Sequence, residues 1–130
     1  DLTIAADGSE SSEVAAALPG GADLVIECVG TVGAFARAME MVRTGGRILA
    51  YGTMTETSGE LPFYELYHKE ISIIGARSAR VEDFPMAIDI VASGRVALGP
   101  LVSGRFPIDD IDEAIRTAAA PGALKVFVDV

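Results

Sequence analysis

The sequence predicts an α/β fold built around a parallel β-sheet, and the spacing of three apolar segments supports this prediction. Residues 23–29, 47–51 and 71–74 are rich in β-forming residues, and a glycine follows each segment directly. Helical or loop segments separate them, which is the pattern of βαβ units with parallel strands. The three glycines should therefore lie at the carboxyl edge of the sheet, where ligands bind in open α/β folds.

Residues that begin and end helices divide the chain into alternating elements. The predicted helices and helical turns cover residues 10–18, 32–43, 63–69, 81–93 and 110–120. The predicted strands cover residues 2–5, 23–29, 47–51, 71–74, 101–106 and 124–130, and residues 53–60 are predicted to form a loop. Thr31 and Asp109 are residue types that cap helix N-termini, so we expect them to cap the second and fifth helices. In the fifth helix the inward-facing residues should be Ile111, Ala114, Ile115 and Ala118.

The segment 23–29 lacks a clean alternation of apolar and polar residues, which predicts a strand covered on both faces. Glu27 interrupts this apolar run. A charged group at such a position must be partnered or lie near the sheet edge. We assign it no catalytic role.

Composition and charge exclude several classes of function. Half of the residues are hydrophobic and the mean hydropathy is +0.39, yet no apolar run approaches the ~20 residues of a membrane helix. The net charge of -9, with only ten Lys and Arg residues, argues against nucleic acid as a partner. The single Cys and the single His cannot form a zinc site with three or four such ligands. Without paired cysteines or a signal peptide, the expected compartment is the cytoplasm.

We expect the chain to be part of a longer protein. It has 130 residues, opens with Asp1 rather than Met, and is predicted to begin in a strand. Its length suits one domain but is too short for a two-domain enzyme. The high apolar content is also expected if protein outside this chain covers one face of the fold.

Five short phrases occur in a recognisable order and spacing: GADLVIECVG at 21–30, GGRILAYG at 45–52, KEISIIG at 69–75, ASGRV at 92–96 and ALKV at 123–126. Together they resemble the zinc-type medium-chain dehydrogenases and reductases over nearly the whole chain. The resemblance implies that residues 1–78 are the C-terminal part of a Rossmann-type, NAD(P)-binding domain. It implies that residues 79–130 form helices and a strand that return to the catalytic domain. The Gly-rich phosphate turn and the zinc-binding motifs would lie upstream, and no G-x-G-x-x-G occurs here.

The resemblance also implies which residues contact the cofactor. Cys28, Val29 and Gly30 match the stretch that passes the adenosine and nicotinamide riboses. Tyr51, Gly52 and Thr53 match the stretch whose backbone meets the nicotinamide, and Ala76, Arg77 and Ser78 match the stretch whose backbone pairs with the carboxamide. Lys125 matches a basic position that reaches the pyrophosphate.

Several of these residues have alternative interpretations. Cys28 can be a small buried core residue, Arg77 a solvated surface charge, and Lys125 an outward-facing strand lysine. Tyr51 and Arg77 are bulkier than the small apolar residues common at such positions. Substrate or cofactor preference is therefore expected to differ from that of simple alcohol dehydrogenases. We interpret His68 as a surface residue.

The resemblance implies an NAD(P)-dependent oxidoreductase that transfers hydride between the nicotinamide and an alcohol, polyol or aldehyde. This chain would supply half of the cofactor site and no catalytic residue, so it should be inactive alone; any zinc of the whole enzyme would have its ligands elsewhere. Homo-oligomers should form through the sheet edge at 71–74.

Other classes remain open. Zinc-free quinone and enoyl reductases share these phrases, although KEI at 69–71 and Arg77-Ser78 are closer to the zinc-containing polyol and alcohol enzymes. An adenosylmethionine-dependent methyltransferase also places Gly-Gly-Arg before a central strand, but the helices and strand after Ser78 argue against it. A non-catalytic α/β assembly module is the third alternative.

Overall fold

The computed structural model describes residues 2–55 and 58–130 and divides the chain into two compact units. The first unit is Asp1–Ser78 and the second is Ala79–Val130. Glu56 and Thr57, which belong to the predicted loop 53–60, lie outside the described residues. The rest of that segment contains no helix or strand, as predicted.

The first unit contains a three-stranded parallel sheet with the strand order β1-β2-β3. Its strands are β1 (Ala22–Glu27), β2 (Val42–Ala50) and β3 (Ser72–Gly75). Its helices are α1 (Glu10–Ala17), α2 (Val32–Met41) and α3 (Phe63–His68). The prediction of an α/β fold with a parallel sheet is confirmed.

The helix α2 begins where the sequence predicts and ends earlier. Thr31 has an extended backbone and its Oγ1 accepts a hydrogen bond from the Ala34 N–H at 3.2 Å, which confirms it as the N-cap. The helix ends at Met41, and β2 begins at Val42 instead of Arg47. The reason is tertiary: Val42 pairs with Ala22 of β1 and its side chain is fully buried in the core.

The predicted strand over residues 2–5 is wrong. These residues have no regular secondary structure. A strand is maintained by ladder hydrogen bonds to a neighbour, and the sheet that the structure describes contains only β1, β2 and β3.

The core of the first unit lies between α2 and one face of the sheet. Its buried residues are Phe35, Ala38, Met39, Val42, Ile48 and Ile71. On the opposite face, Leu24, Ile26 and Ile74 are 44%, 55% and 45% exposed. The prediction that β1 is covered on both faces is therefore wrong for this unit, because alternate residues of a strand point to opposite faces and α2 packs on one of them.

The second unit is built on two parallel strands, β4 (Val102–Pro107) and β5 (Lys125–Asp129). The helix α4 (Asp83–Ala92) precedes them, and α5 (Ile111–Ala118) connects them and packs against both. Short 3-10 turns lie at Gly99–Leu101 and Ile108–Asp110.

The prediction for α5 is only partly correct. Asp109 lies in the 3-10 turn, and Asp110 occupies the N-cap position without a side-chain capping bond, so the predicted Asp109 cap is wrong. Ala114 is buried as expected, whereas Ile111 is 40% exposed, Ile115 is 60% exposed and Ala118 is also exposed, so the inward-facing prediction is wrong for these three. Consecutive helix residues are about 100° apart around the axis, so burial of Ala114 does not require burial of Ile115 next to it.

None of the helices in residues 2–55 and 58–130 has the length and apolar character needed to cross a membrane.

Candidate functional site

The three strands of the first unit end side by side. Glu27, Ala50 and Gly75 are in register across the sheet, and all three strands run in the same direction. The stretches that follow these strands therefore start from one edge of the sheet, as the sequence predicts. These stretches are residues 28–30, 51–53 and 76–78.

Backbone hydrogen bonds connect the three strand ends. The Glu27 carbonyl oxygen accepts from the N–H groups of Tyr51 at 2.9 Å and Gly52 at 2.8 Å. The Ala76 N–H donates to the Ala50 carbonyl oxygen at 3.0 Å. Each stretch is thus fixed to its neighbour at the point where it leaves the sheet.

The Glu27 side chain also folds back onto this edge. The residue is 5% exposed, and its Oε1 accepts from the N–H groups of Val29 at 2.7 Å and Gly30 at 2.8 Å. Its Oε2 is buried and has no hydrogen-bond partner within residues 2–55 and 58–130. Sequence reasoning expected Glu27 to be partnered or near the sheet edge, and the structure shows both.

Glycines allow the first two stretches to touch. A Cβ on Gly30 would lie 2.6 Å from the Thr53 carbonyl oxygen, and Gly30 has a φ of +82°, which few other residues adopt. A Cβ on Gly52 would lie 2.7 Å from Glu27 Oε2 and would also meet the Gly30 backbone. The two stretches therefore pack backbone against backbone.

A cleft of about 480 Å³ opens between the second and third stretches. Its lining consists of the six predicted residues Tyr51, Gly52, Thr53, Ala76, Arg77 and Ser78. The N–H groups of Arg77 and Ser78 donate no hydrogen bond in the part of the chain that the structure describes. Free backbone groups beside a cleft can pair with an amide, which needs donors and acceptors at fixed positions.

The remaining predicted residues differ in their exposure. Cys28 is exposed, so its interpretation as a buried core residue is wrong. Arg77 is exposed, so it can be either a cofactor contact or a solvated surface charge. His68 is an exposed residue whose ring stacks on Tyr64 with the centroids 5.5 Å apart, in agreement with its predicted surface position.

Lys125 lies in the second unit. It is the first residue of β5 and is exposed, with its Nζ 6.0 Å from the centre of the Phe127 ring. The predicted contact between Lys125 and a pyrophosphate stays a prediction.

A zinc ion does not fit the side chains that the structure describes. Within the described residues, no three His, Cys, Asp or Glu side chains are grouped so that they could hold a metal ion. Cys28 and His68 belong to the loop after β1 and to α3, and no further cysteine or histidine occurs in the sequence.

Comparison with known proteins decides the family. The family described as zinc-binding dehydrogenase matches residues 1–93 of the chain. The chain belongs to this family. The resemblance to zinc-type medium-chain dehydrogenases and reductases is thereby confirmed.

Relatives within the zinc-binding dehydrogenases include enzymes named for polyols and sugar acids. The sorbitol dehydrogenase of Halalkalibacterium halodurans is 29% identical over 108 residues, which is 83% of this chain and 32% of the relative. The solved L-idonate 5-dehydrogenase of Escherichia coli K-12 MG1655 is 26% identical, with a TM-score of 0.83 over 99% of this chain and 37% of that one.

A third zinc-binding dehydrogenase was solved with a cofactor. The protein from Sinorhizobium meliloti 1021, bound to NADP, is 26% identical, with a TM-score of 0.79 over 95% of this chain and 38% of that one. These structures confirm the Rossmann-type fold class. The chain spans about a third of the length of the relatives it matches.

Proposed function

We propose that this chain forms half of the NAD(P) site of an alcohol or polyol dehydrogenase. The observation that supports the proposal most directly is the convergence of residues 28–30, 51–53 and 76–78 at one edge of a parallel sheet. Ligands of open α/β folds bind at this edge. The family and the NADP-bound relative make a nicotinamide dinucleotide the ligand that this edge fits best.

Each stretch has a distinct part in the proposed site. Residues 28–30 lie beside the riboses, and the missing Cβ of Gly30 lets this stretch pack against the Thr53 backbone. Residues 51–53 meet the nicotinamide, and the free N–H groups of Arg77 and Ser78 point to recognition of the carboxamide. When bound, the nicotinamide supplies the hydride chemistry, and the chain's own residues hold it in position. Lys125 contributes a positive charge toward the pyrophosphate.

The remainder of the enzyme completes the site. Residues 1–78 belong to the dinucleotide-binding domain, and residues 79–130 return to the catalytic domain, which holds the substrate and any zinc ion. The exposed apolar face of the sheet around Leu24, Ile26 and Ile74 is covered by other parts of that protein. We further propose that the enzyme works in the cytoplasm on a small alcohol or carbonyl substrate.

No observation favours the other two classes. The chain belongs to a dehydrogenase family over residues 1–93, and neither an adenosylmethionine-dependent methyltransferase nor an assembly module occurs among the relatives named above. We retain hydride transfer as the single proposed activity.

The test is an oxidation assay on the full-length protein that contains this chain. NAD⁺ and NADP⁺ are each offered with a panel of polyols, sugar acids and simple alcohols, and the formation of NADH or NADPH is followed by absorbance. We expect turnover of at least one substrate with one of the two cofactors.

The same assay on residues 1–130 alone is the matched comparison, and it should show no turnover above background. Failure of the full-length protein to bind or reduce either cofactor would contradict the proposed function. Turnover by the 130-residue chain would contradict the division of the site between this chain and the rest of the protein.

A further inference from the structure

Glu27 connects two of the stretches that form the proposed cofactor site. Its carbonyl oxygen accepts from Tyr51 and Gly52 in the second stretch, and its Oε1 accepts from Val29 and Gly30 in the first. Four N–H groups, two from each of these stretches, thus donate to one residue. No other residue of the described site makes hydrogen bonds to both loops.

The carboxylate holds the first of these stretches, whereas the backbone carbonyl oxygen of Glu27 holds the second. A buried polar group is costly unless it is hydrogen-bonded, and Val29 and Gly30 supply two donors to Oε1. The two methylene groups of the side chain let the carboxylate reach back to residues two and three positions further along the chain.

The second carboxylate oxygen fills the space between the two loops. Oε2 lies where a Cβ on Gly52 would come within 2.7 Å of it, so the glycine makes room for the carboxylate. Because Oε2 is buried, it is not exposed to a ligand in the cleft. Any effect of Glu27 on the ligand must therefore act through the positions of the two loops.

We propose that Glu27 is a positioning residue that holds residues 28–30 and 51–53 at the separation needed for the nicotinamide half of the cofactor. This inference rests on the proposed function, because it assumes that residues 51–53 meet the nicotinamide. The adenosine half lies mainly on parts of the protein outside this chain. Loss of the carboxylate, with its bonds to Val29 and Gly30 and its packing against Gly52, should therefore weaken the binding of the whole dinucleotide more than the binding of its adenosine half.

The experiment compares two ligands on the full-length protein. The ligands are whichever of NADH and NADPH the unsubstituted protein binds, and the corresponding adenosine fragment, ADP or 2′,5′-ADP. The variants are Glu27→Leu, which removes both acceptors at similar volume, and Glu27→Gln, which keeps one neutral oxygen acceptor. Glu13→Gln is the control, because Glu13 is exposed on α1 and undergoes the same chemical change away from the strand ends.

We expect Glu27→Leu to weaken dinucleotide binding about 10-fold or more, the effect of losing one to two hydrogen bonds, while binding of the adenosine fragment changes less than about 3-fold. Glu27→Gln should lie between Glu27→Leu and the unsubstituted protein, since its amide oxygen still accepts from the two N–H groups. Glu13→Gln should leave both affinities unchanged.

The ratio of the two affinities separates positioning from simple loss of fold. A purely structural role would lower both affinities by the same factor, and that result, or no change in either, would overturn the inference while leaving the proposed function standing. If Glu27→Leu does not fold, the ratio for Glu27→Gln decides the question. Absence of dinucleotide binding by the unsubstituted protein would overturn both proposals together.

Discussion

Gly30 shows most directly how a single residue shapes the proposed site. Its φ of +82° is strained for any residue with a Cβ, and that Cβ would lie 2.6 Å from the Thr53 carbonyl oxygen. We predict that Gly30→Ala lowers the free energy of unfolding by about 2–4 kcal/mol, because backbone strain and a backbone clash add. Urea denaturation of the full-length protein measures this change.

Gly20→Ala is the matched control for that substitution. Gly20 also has a positive φ, of +101°, but a Cβ there would meet nothing within 4 Å. The Gly20→Ala substitution should lower the free energy of unfolding only by the backbone strain, about 1–2 kcal/mol. Equal losses of unfolding free energy for Gly30→Ala and Gly20→Ala would show that the close contact between Gly30 and Thr53 adds nothing to the cost of the substitution.

At the residue scale, the sequence predicted the convergence of the three stretches better than the contacts among them. The glycine after each apolar segment correctly indicated that residues 28–30, 51–53 and 76–78 share one edge. The part played by Glu27 was missed, because it depends on a carboxylate folding back to backbone N–H groups that a strand pattern does not reveal. An acidic residue that ends an apolar strand, three positions before a glycine, was the available signal.

At the scale of elements, Lys69 stabilises the C-terminal end of α2 from a distant position in the sequence. Its Nζ donates to the carbonyl oxygens of Met39 and Glu40, each at 3.0 Å, and lies 3.4 Å from Glu65 Oε2. The last carbonyl groups of a helix have no partner within the helix, and a cation there also interacts favourably with the helix dipole. Lys69 thus serves as a cap in place of a C-terminal glycine.

We predict that Lys69→Met lowers the free energy of unfolding by about 1–2 kcal/mol, because two carbonyl groups lose a charged donor. Thermal or urea unfolding measures the change. Lys125→Met, which removes an exposed lysine of the second unit, is the control and should change stability by less than about 0.5 kcal/mol. A loss for Lys69→Met no greater than for Lys125→Met would contradict this account of the helix end.

The types of element were predictable, whereas several boundaries were not. Gly45 and Gly46 are typical helix-ending residues, yet they lie inside β2, where the register slips between Ala22 and Leu24 of β1. Pairing between strands decides such a boundary, and local residue preferences do not contain that information. The wrong strand over residues 2–5 has the same cause, since apolar character alone does not supply a partner strand.

At the scale of the whole molecule, β3 is one edge of the sheet that the structure describes. Ile73 and Ile74 on this strand are 44% and 45% exposed. An edge strand with apolar side chains can pair with its copy from a second subunit. We therefore predict that the full-length protein is a dimer or higher oligomer, and that Ile74→Lys shifts it toward the monomer.

Sedimentation velocity over a range of protein concentrations measures this association. A clean monomer at high concentration for the unsubstituted protein would contradict the prediction. An oligomer unaffected by Ile74→Lys would place the subunit contact elsewhere on the molecule.

The sheet as a whole was predicted more accurately than its surroundings. Parallel order follows from the βαβ pattern, but hydropathy does not identify which face of a strand a helix will cover. Val25 and Glu27 lie toward α2, whereas Leu24 and Ile26 remain exposed on the other face. The apolar content of β1 therefore predicted burial on both faces, although one face is exposed in this chain.

Hydrogen–deuterium exchange of the full-length protein, with and without saturating NADH or NADPH, tests the central claim most directly. We predict that cofactor slows exchange in peptides covering residues 28–30, 51–53 and 76–78, and most strongly at the free N–H groups of Arg77 and Ser78. Protection confined to parts of the protein outside this chain, with those three stretches unchanged, would contradict the claim that they form the nicotinamide side of the site.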